Sequence, residues 1–277
     1  MVVNSNNNNN GLLLSRGLNA KIMGSGKEAM VLGHGFGGNQ SLWDKIVPKL
    51  SEVYRVVVFD WSFAGSIKDP NFMFDPKKYA SYSAFADDLI ALIDELGLTS
   101  TIFLGHSMSG LIGCLAYTKR PDLFQTLILL CSSPRYINTE DYEGGFNKSD
   151  IDQIIANIES NYENWSTNFP CLVVDESDPQ SLSRFQKCLK EMRPEVATPL
   201  ARTVFSVDER EILEKVDIPC IILQTKNDIV VPASVPTFMQ KKIKGSCTVR
   251  VINTNGHFPH LTAHHELLQV LGEVLGF

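Results

Sequence analysis

From Asn19 to the C-terminus, short runs of β-branched and other apolar residues alternate with longer stretches of helical periodicity, and that rhythm leaves few folds open. The runs are Ala29 to Gly33, Tyr54 to Phe59, Thr101 to Gly105, Thr126 to Cys131, Ile218 to Gln224 and Thr248 to Ile252. Apolar throughout rather than alternating, they read as strands of a sheet buried on both faces. Between them lie amphipathic helices. Ser83 to Leu96, for example, sets Phe85, Leu89, Ile93 and Leu96 on one stripe with Asp87, Asp88 and Glu95 off it. Such a chain is α/β, a mostly parallel sheet covered by helices, with no internal repeat.

The rhythm breaks over residues 135–210, where no buried strand is legible and several helix starts follow one another. We read this segment as an inserted helical lid, with the core formed by 18–134 and 211–277. Ser149 with Asp152 reads as a capping box ahead of Ile151, Ile154, Ile155, Ile158 and Tyr162; Asp178-Pro179 reads as N-cap and first-turn proline; Ser206 with Glu209 reads as a second box. Residues 1–17, with the Asn-rich stretch Asn4 to Asn10, are expected to form a disordered tail.

Composition narrows the function classes. The 277 residues are 44% hydrophobic and 20% charged, enough for a core that needs no metal or disulfide. A net charge of −6 offers no footprint for nucleic acid or acidic lipid. The six cysteines stand singly, without zinc-site spacing, and read as reduced buried thiols. No apolar run approaches the ~20 residues that span a bilayer, and no signal peptide is legible, so an intracellular, non-membrane protein is expected.

Chemistry concentrates in Gly105-His106-Ser107-Met108-Ser109, directly after a strand and before a helix. It matches the nucleophile elbow G-x-S-x-G except that Ser109 replaces the last glycine. A hydroxyl becomes a nucleophile near neutral pH only when an imidazole takes its proton, and that imidazole needs a carboxylate to fix its tautomer. Asp228 follows one late strand and His257 the next, in the order Ser, Asp, His expected of α/β-hydrolases. Asp60, after its own strand, is a weaker candidate for the acid. His106 reads as structural, and His260, His264 and His265 as surface histidines. An oxyanion site needs two backbone N–H groups; Met108 supplies one and Phe36, in the turn Gly33-His34-Gly35-Phe36-Gly37-Gly38, the other. That glycine-rich turn lacks the lysine of a nucleotide loop, so no cofactor and no metal are expected.

The chain from about Leu18 to its end resembles the plant strigolactone- and karrikin-receptor hydrolases, and most of all their DWARF-type receptor paralogue branch, DLK. The resemblance rests on His34-Gly35-Phe36-Gly37, the elbow with its final serine, Ser133-Pro134-Arg135-Tyr136, Tyr142-Glu143-Gly144-Gly145-Phe146, Met192-Arg193-Pro194 and Gly256-His257. It implies an α/β-hydrolase core, a four-helix V-shaped lid and a slow attack by Ser107 on the butenolide ring of a small apolar lactone or on an enol ether. It implies a pocket of Phe36, Tyr136, Phe146, Ile154, Trp165, Phe169, Phe185 and Phe205. It also implies a monomer of cytoplasm and nucleus. The family's receptors recruit an F-box protein and repressor proteins. Asp60-Trp61-Ser62-Phe63-Ala64-Gly65 departs from the family's small turn, and Trp61 and Phe63 are expected to add bulk at the pocket mouth. The alternatives are a ligand-sensing interaction protein with little turnover and a metabolic esterase with no signalling role.

Overall fold

The computed structural model describes residues 13–277, so the Asn-rich stretch lies outside the described residues. Seven strands form one sheet: β1 (Lys21–Met23), β2 (Ala29–Gly33), β3 (Arg55–Val58), β4 (Thr101–His106), β5 (Phe124–Leu130), β6 (Cys220–Asn227) and β7 (Cys247–Asn255). Their spatial order is β1-β3-β2-β4-β5-β6-β7. Every pairing is parallel except β1 with β3. The six apolar runs supply β2 to β7. β1 was not anticipated: Lys-Ile-Met at a half-exposed sheet edge carries no buried run to betray it.

Among the described residues eleven α-helices accompany the sheet: α1 (Leu14–Gly17), α2 (Val47–Leu50), α3 (Tyr82–Glu95), α4 (Met108–Lys119), α5 (Lys148–Ser160), α6 (Tyr162–Val173), α7 (Pro179–Glu191), α8 (Pro194–Ser206), α9 (Ser234–Lys242), α10 (Pro259–Thr262) and α11 (His264–Leu275). One face of the sheet packs with α3 and α4 into the larger core, through Phe85, Leu89, Phe103, Leu111 and Ile112. The other face packs against Trp43, Ile46 and Leu50 and, from α11, Leu267 and Leu271. With both faces covered, strands β2 and β4 are buried at every residue, which is why they read as continuous apolar runs.

Residues 14–17, placed in the expected disordered tail, are helical instead, and residues 1–12 lie outside the described residues. Leu14 to Gly17 form a helical turn because the Glu95 carboxylate accepts the free N–H groups of Leu14 (2.7 Å) and Ser15 (3.1 Å), while Leu14 packs on the core.

Four helices, α5 to α8, occupy the connection between β5 and β6, with α5 against α6 and α8, and α6 against α7. The first capping box is shifted two residues from the expected pair: Asn147 is the N-cap and Asp150 accepts its backbone N–H at 2.7 Å, so Ser149 and Asp152 lie inside the helix. Asp178 caps α7 through the Ser181 N–H, 2.9 Å. No helix starts at Ser206; it is the last residue of α8, and Glu209 precedes a 3₁₀ turn without capping it. In both misreadings the S-x-x-[DE] spacing is present, but Ser149 competes with a better cap two residues upstream and Ser206 sits in a helix already formed.

Candidate active site

In parallel strands the carboxyl ends lie along one edge of the sheet, so residues just beyond β2, β3, β4, β6 and β7 converge there however distant they are in sequence. Ser107 follows β4 near the middle of the sheet. Its backbone holds φ 55° and ψ −123°, a conformation L-residues avoid, fixed by its N–H on the Leu130 carbonyl (2.8 Å) and by the start of α4. The turn is tight enough that a Cβ at Gly105 would lie 2.5 Å from the Ser109 carbonyl carbon, so position 105 accepts only glycine. Met108 is the first residue of α4, and its N–H belongs to the group a helix leaves without an internal acceptor.

Asp228 follows β6 and His257 follows β7. Their side chains meet, Nδ1 to Oδ2 at 2.7 Å, with the carboxylate fully buried and the ring nearly so. The carboxylate also accepts Gln224 Nε2 (3.1 Å) and the Val230 N–H (2.8 Å), which satisfies a charge taken out of water. His257 is held at its backbone as well. Its N–H donates to the Val173 carbonyl at 2.6 Å, and its carbonyl accepts His106 Nε2 at 2.8 Å. Burial drives the His106 pKa well below the ordinary histidine value, so that ring is neutral. Ser107 Oγ shares a 3.3 Å hydrogen bond with the Tyr136 hydroxyl.

The turn after β2 abuts the elbow so closely that a Cβ at Gly35 would sit 2.8 Å from His106 Nδ1 and 3.1 Å from the Ser107 Cβ. Phe36 follows directly, its ring 6.1 Å from Trp165 and 6.3 Å from Phe205.

Ser107 and His257 open into an apolar cavity. Of the expected pocket residues, Phe36, Tyr136, Phe169, Phe185 and Phe205 line it, joined by Val173, Val204, Val230 and Phe258, which sequence reasoning did not name. Phe146 stands behind Phe205 at 5.9 Å between ring centres. Ile154 and Trp165 line a separate outer groove on α5 and α6, where Trp165 stacks on Phe169 at 4.9 Å. The valines were missed because single aliphatic residues on a helix give no signal apart from core.

Other expectations are corrected by where the side chains lie. Asp60 does not approach His257; it accepts the Gln40 N–H (2.7 Å), Ser66 Oγ (2.7 Å) and Asn19 Nδ2 (3.0 Å) and so ties the loop after β3 to its neighbours. Trp61 and Phe63 are not at the mouth. Both are 1% exposed, within the core beside Phe85. His260 is not a surface residue: it is wholly buried, 4.5 Å from the Trp43 ring, and burial lowers its pKa to about 3.

Among the described residues the one grouping of metal-ligand types is Cys131, Asp228 and His257, whose donor atoms lie within 4.8 Å of one another. The latter two already satisfy each other, and burial raises the Cys131 thiol well above its ordinary range, so this donor set suits hydrogen bonding better than a cation. Among the described residues, no helix is long and apolar enough to cross a membrane.

A family model described as the alpha/beta hydrolase fold matches residues 28–263. The Karrikin insensitive 2 receptor IA of Petunia hybrida is 42% identical, over 93% of this chain and 94% of its own. Strigolactone esterase D14 of Arabidopsis thaliana is 39% identical, over 93% of this chain and 96% of its own. Among solved structures, the hydrolase olei00960 from Oleispira antarctica superposes with a TM-score of 0.89 at 28% identity, covering 95% of this chain and 96% of that one. With a single α/β core, a serine at the elbow and relatives matched nearly end to end, the chain belongs to the α/β-hydrolase fold family, in the group of plant strigolactone-esterase and karrikin-receptor hydrolases.

Proposed function

We propose that the protein is a serine hydrolase of small butenolide-type lactones, with Ser107 as nucleophile, His257 as general base and Asp228 as its orienter. The observation that carries this reading is that a serine in a strained elbow and a histidine paired to a buried carboxylate at 2.7 Å open into one apolar cavity. Ser107 Oγ leaves its resting bond to Tyr136 and attacks the carbonyl carbon while His257 Nε2 takes its proton. The new oxyanion is bound by the N–H groups of Phe36 and Met108. Collapse of the tetrahedral intermediate breaks the bond to the leaving oxygen, to which His257 returns the proton, and a water activated by the same imidazole releases the acyl group from Ser107. Helices α5 to α8 serve as the lid, and the apolar lining favours a small apolar ligand. The names of the relatives, strigolactone esterase and karrikin insensitive receptor, point to the butenolide class.

The test is incubation of the parent and of Ser107→Ala with a synthetic strigolactone analogue, following product release and intact protein mass. Release by the parent alone is expected, with Ser107→Ala folded and inactive. Turnover retained by Ser107→Ala removes the assignment.

A second reading, ligand sensing through the lid, is favoured by the hydrogen bond from the His257 N–H to Val173 at the end of α6, which ties the candidate base directly to the inserted helices. An F-box protein and repressor proteins as partners belong to this reading. Ligand-dependent capture of a purified F-box partner by Ser107→Ala is its measurement, and capture that ignores ligand counts against it.

A further inference from the structure

The residues just before Phe36 are fastened by an unusual device. The His34 carbonyl accepts two buried hydrogen bonds, from Trp61 Nε1 (3.0 Å) and from Ser109 Oγ (2.6 Å). The same indole N–H lies 2.9 Å from Ser109 Oγ, closing a triangle between the loop after β3, the turn after β2 and the first turn of α4. His34 and Ser109 are fully buried and Trp61 is 1% exposed, so water does not compete for these bonds.

A second bond sets the next peptide. The Trp61 backbone N–H donates to His34 Nε2 at 3.0 Å, so in the neutral ring the proton resides on Nδ1, which donates to the Gly35 carbonyl at 3.0 Å. Burial lowers the His34 pKa and keeps the ring neutral. The Gly38 N–H holds the same carbonyl at 3.2 Å. In a planar trans peptide the Gly35 C=O and the Phe36 N–H point in opposite directions, so fixing the first aims the second.

We propose that the Trp61 indole is a positioning residue for the oxyanion site, holding the turn after β2 against the elbow so that the Phe36 N–H is already aimed when charge develops. The proposal rests on the serine-hydrolase reading above. It also accounts for a hydroxyl in the last elbow position, because a glycine at 109 would offer neither the second donor to His34 nor the acceptor for the indole.

Trp61→Phe removes the donor and keeps an aromatic ring against Phe59 and Phe85, which approach Trp61 edge-on at 4.7 and 5.5 Å. Two probes read the result. Hydrolysis of p-nitrophenyl acetate should lose about tenfold in kcat with KM within about twofold, the pattern of an interaction made only in the transition state. That is less than the loss of about a hundredfold or more from deleting an oxyanion donor itself. Phenylboronic acid forms a bond from boron to Ser107 Oγ as the serine proton passes to His257, giving a tetrahedral anion whose oxygen needs the same donors. Its Kd should weaken by the same factor as kcat. Ser109→Ala should show the same pattern at a smaller size, and the double variant should lose less than the product of the two, since both act on one carbonyl. Unchanged kcat and Kd in folded Trp61→Phe overturn the proposal, as does a loss confined to KM. If Trp61→Phe does not fold, Ser109→Ala decides, and a kcat equal to the parent's overturns it. A parent protein that neither cleaves the ester nor takes up the boronate overturns both this proposal and the hydrolase reading, whereas equal adducts on parent and variant overturn this one alone.

Discussion

At the scale of single residues, the buried pair of Asp228 and His257 sets which ring nitrogen is free. Oδ2 faces Nδ1 at 2.7 Å, so the proton stays on Nδ1 and Nε2 is left as the nitrogen that the proposed mechanism uses as base. Asp228→Asn presents an amide N–H to Nδ1, or leaves Nδ1 without its acceptor, and favours the tautomer protonated on Nε2. We expect kcat to fall by about a thousand- to ten-thousandfold with little change in binding, measured as turnover beside the Kd of an uncleaved analogue. A loss below about tenfold would mean that Asp228 does not orient the base. The positions of Ser107, Asp228 and His257 were legible because each lies within a few residues after an apolar run, and a parallel sheet brings such positions to one edge. Trp61 and His260 were not. An indole at a loop start and a histidine near a C-terminal helix read as surface or rim, and only the packed structure turns one into a strut and the other into core.

At the scale of elements, the inserted helices are joined to the core by several separate polar contacts. Lys45, between the 3₁₀ turn Gln40–Trp43 and α2, reaches Asp178 (3.2 Å), Ser181 Oγ (3.1 Å) and the Leu261 carbonyl (2.7 Å), so the N-terminus of α7 is pinned to α10. Asp178 serves both as the cap of α7 and as the partner of that lysine. Asp178→Ala should cost about 1–2 kcal/mol, mostly from the lost cap, with a smaller share from a partly exposed ion pair. Asp178→Asn should recover most of it. Urea unfolding measures the total, and hydrogen exchange should quicken at the first turn of α7 before α3 or α4. Uniform quickening in all helices would show that the cap supports global stability rather than this docking point. The cap at Asp178 was legible because proline follows it at the first helical position. The cap at Asn147 was not, since Ser149 offers the same chemistry two residues later and only the backbone decides between them. β1 left no trace for the opposite reason: pairing at an edge needs main-chain groups, which any sequence supplies.

At the scale of the whole molecule, three histidines, His34, His106 and His260, are buried between the sheet edge and its surroundings, and burial lowers the pKa of each. For His260 neither ring nitrogen has a hydrogen-bond partner, and its neighbours are Trp43 at 4.5 Å and His106 at 4.6 Å. The sign of the linkage follows from the direction of the shift. A histidine whose folded pKa is below the unfolded value of ~6.5 binds fewer protons folded than unfolded. Its contribution is therefore complete above that value and is lost as pH falls toward the folded pKa, about 3 for His260. The slope approaches about 1.4 kcal/mol per pH unit, so lowering pH from 7 to 5 should remove about 2 kcal/mol through His260 alone. Urea midpoints at pH 7 and pH 5 should thus differ for the parent, and the difference should shrink in His260→Leu, which replaces an unsatisfied polar ring with an apolar side chain among aromatic neighbours. An independent reading comes from the His260 ring protons by NMR, which should not titrate in the folded protein down to pH 5. Titration above that value, or an unchanged pH slope in His260→Leu, would show that the ring reaches water and that the packing around Trp43 opens in solution.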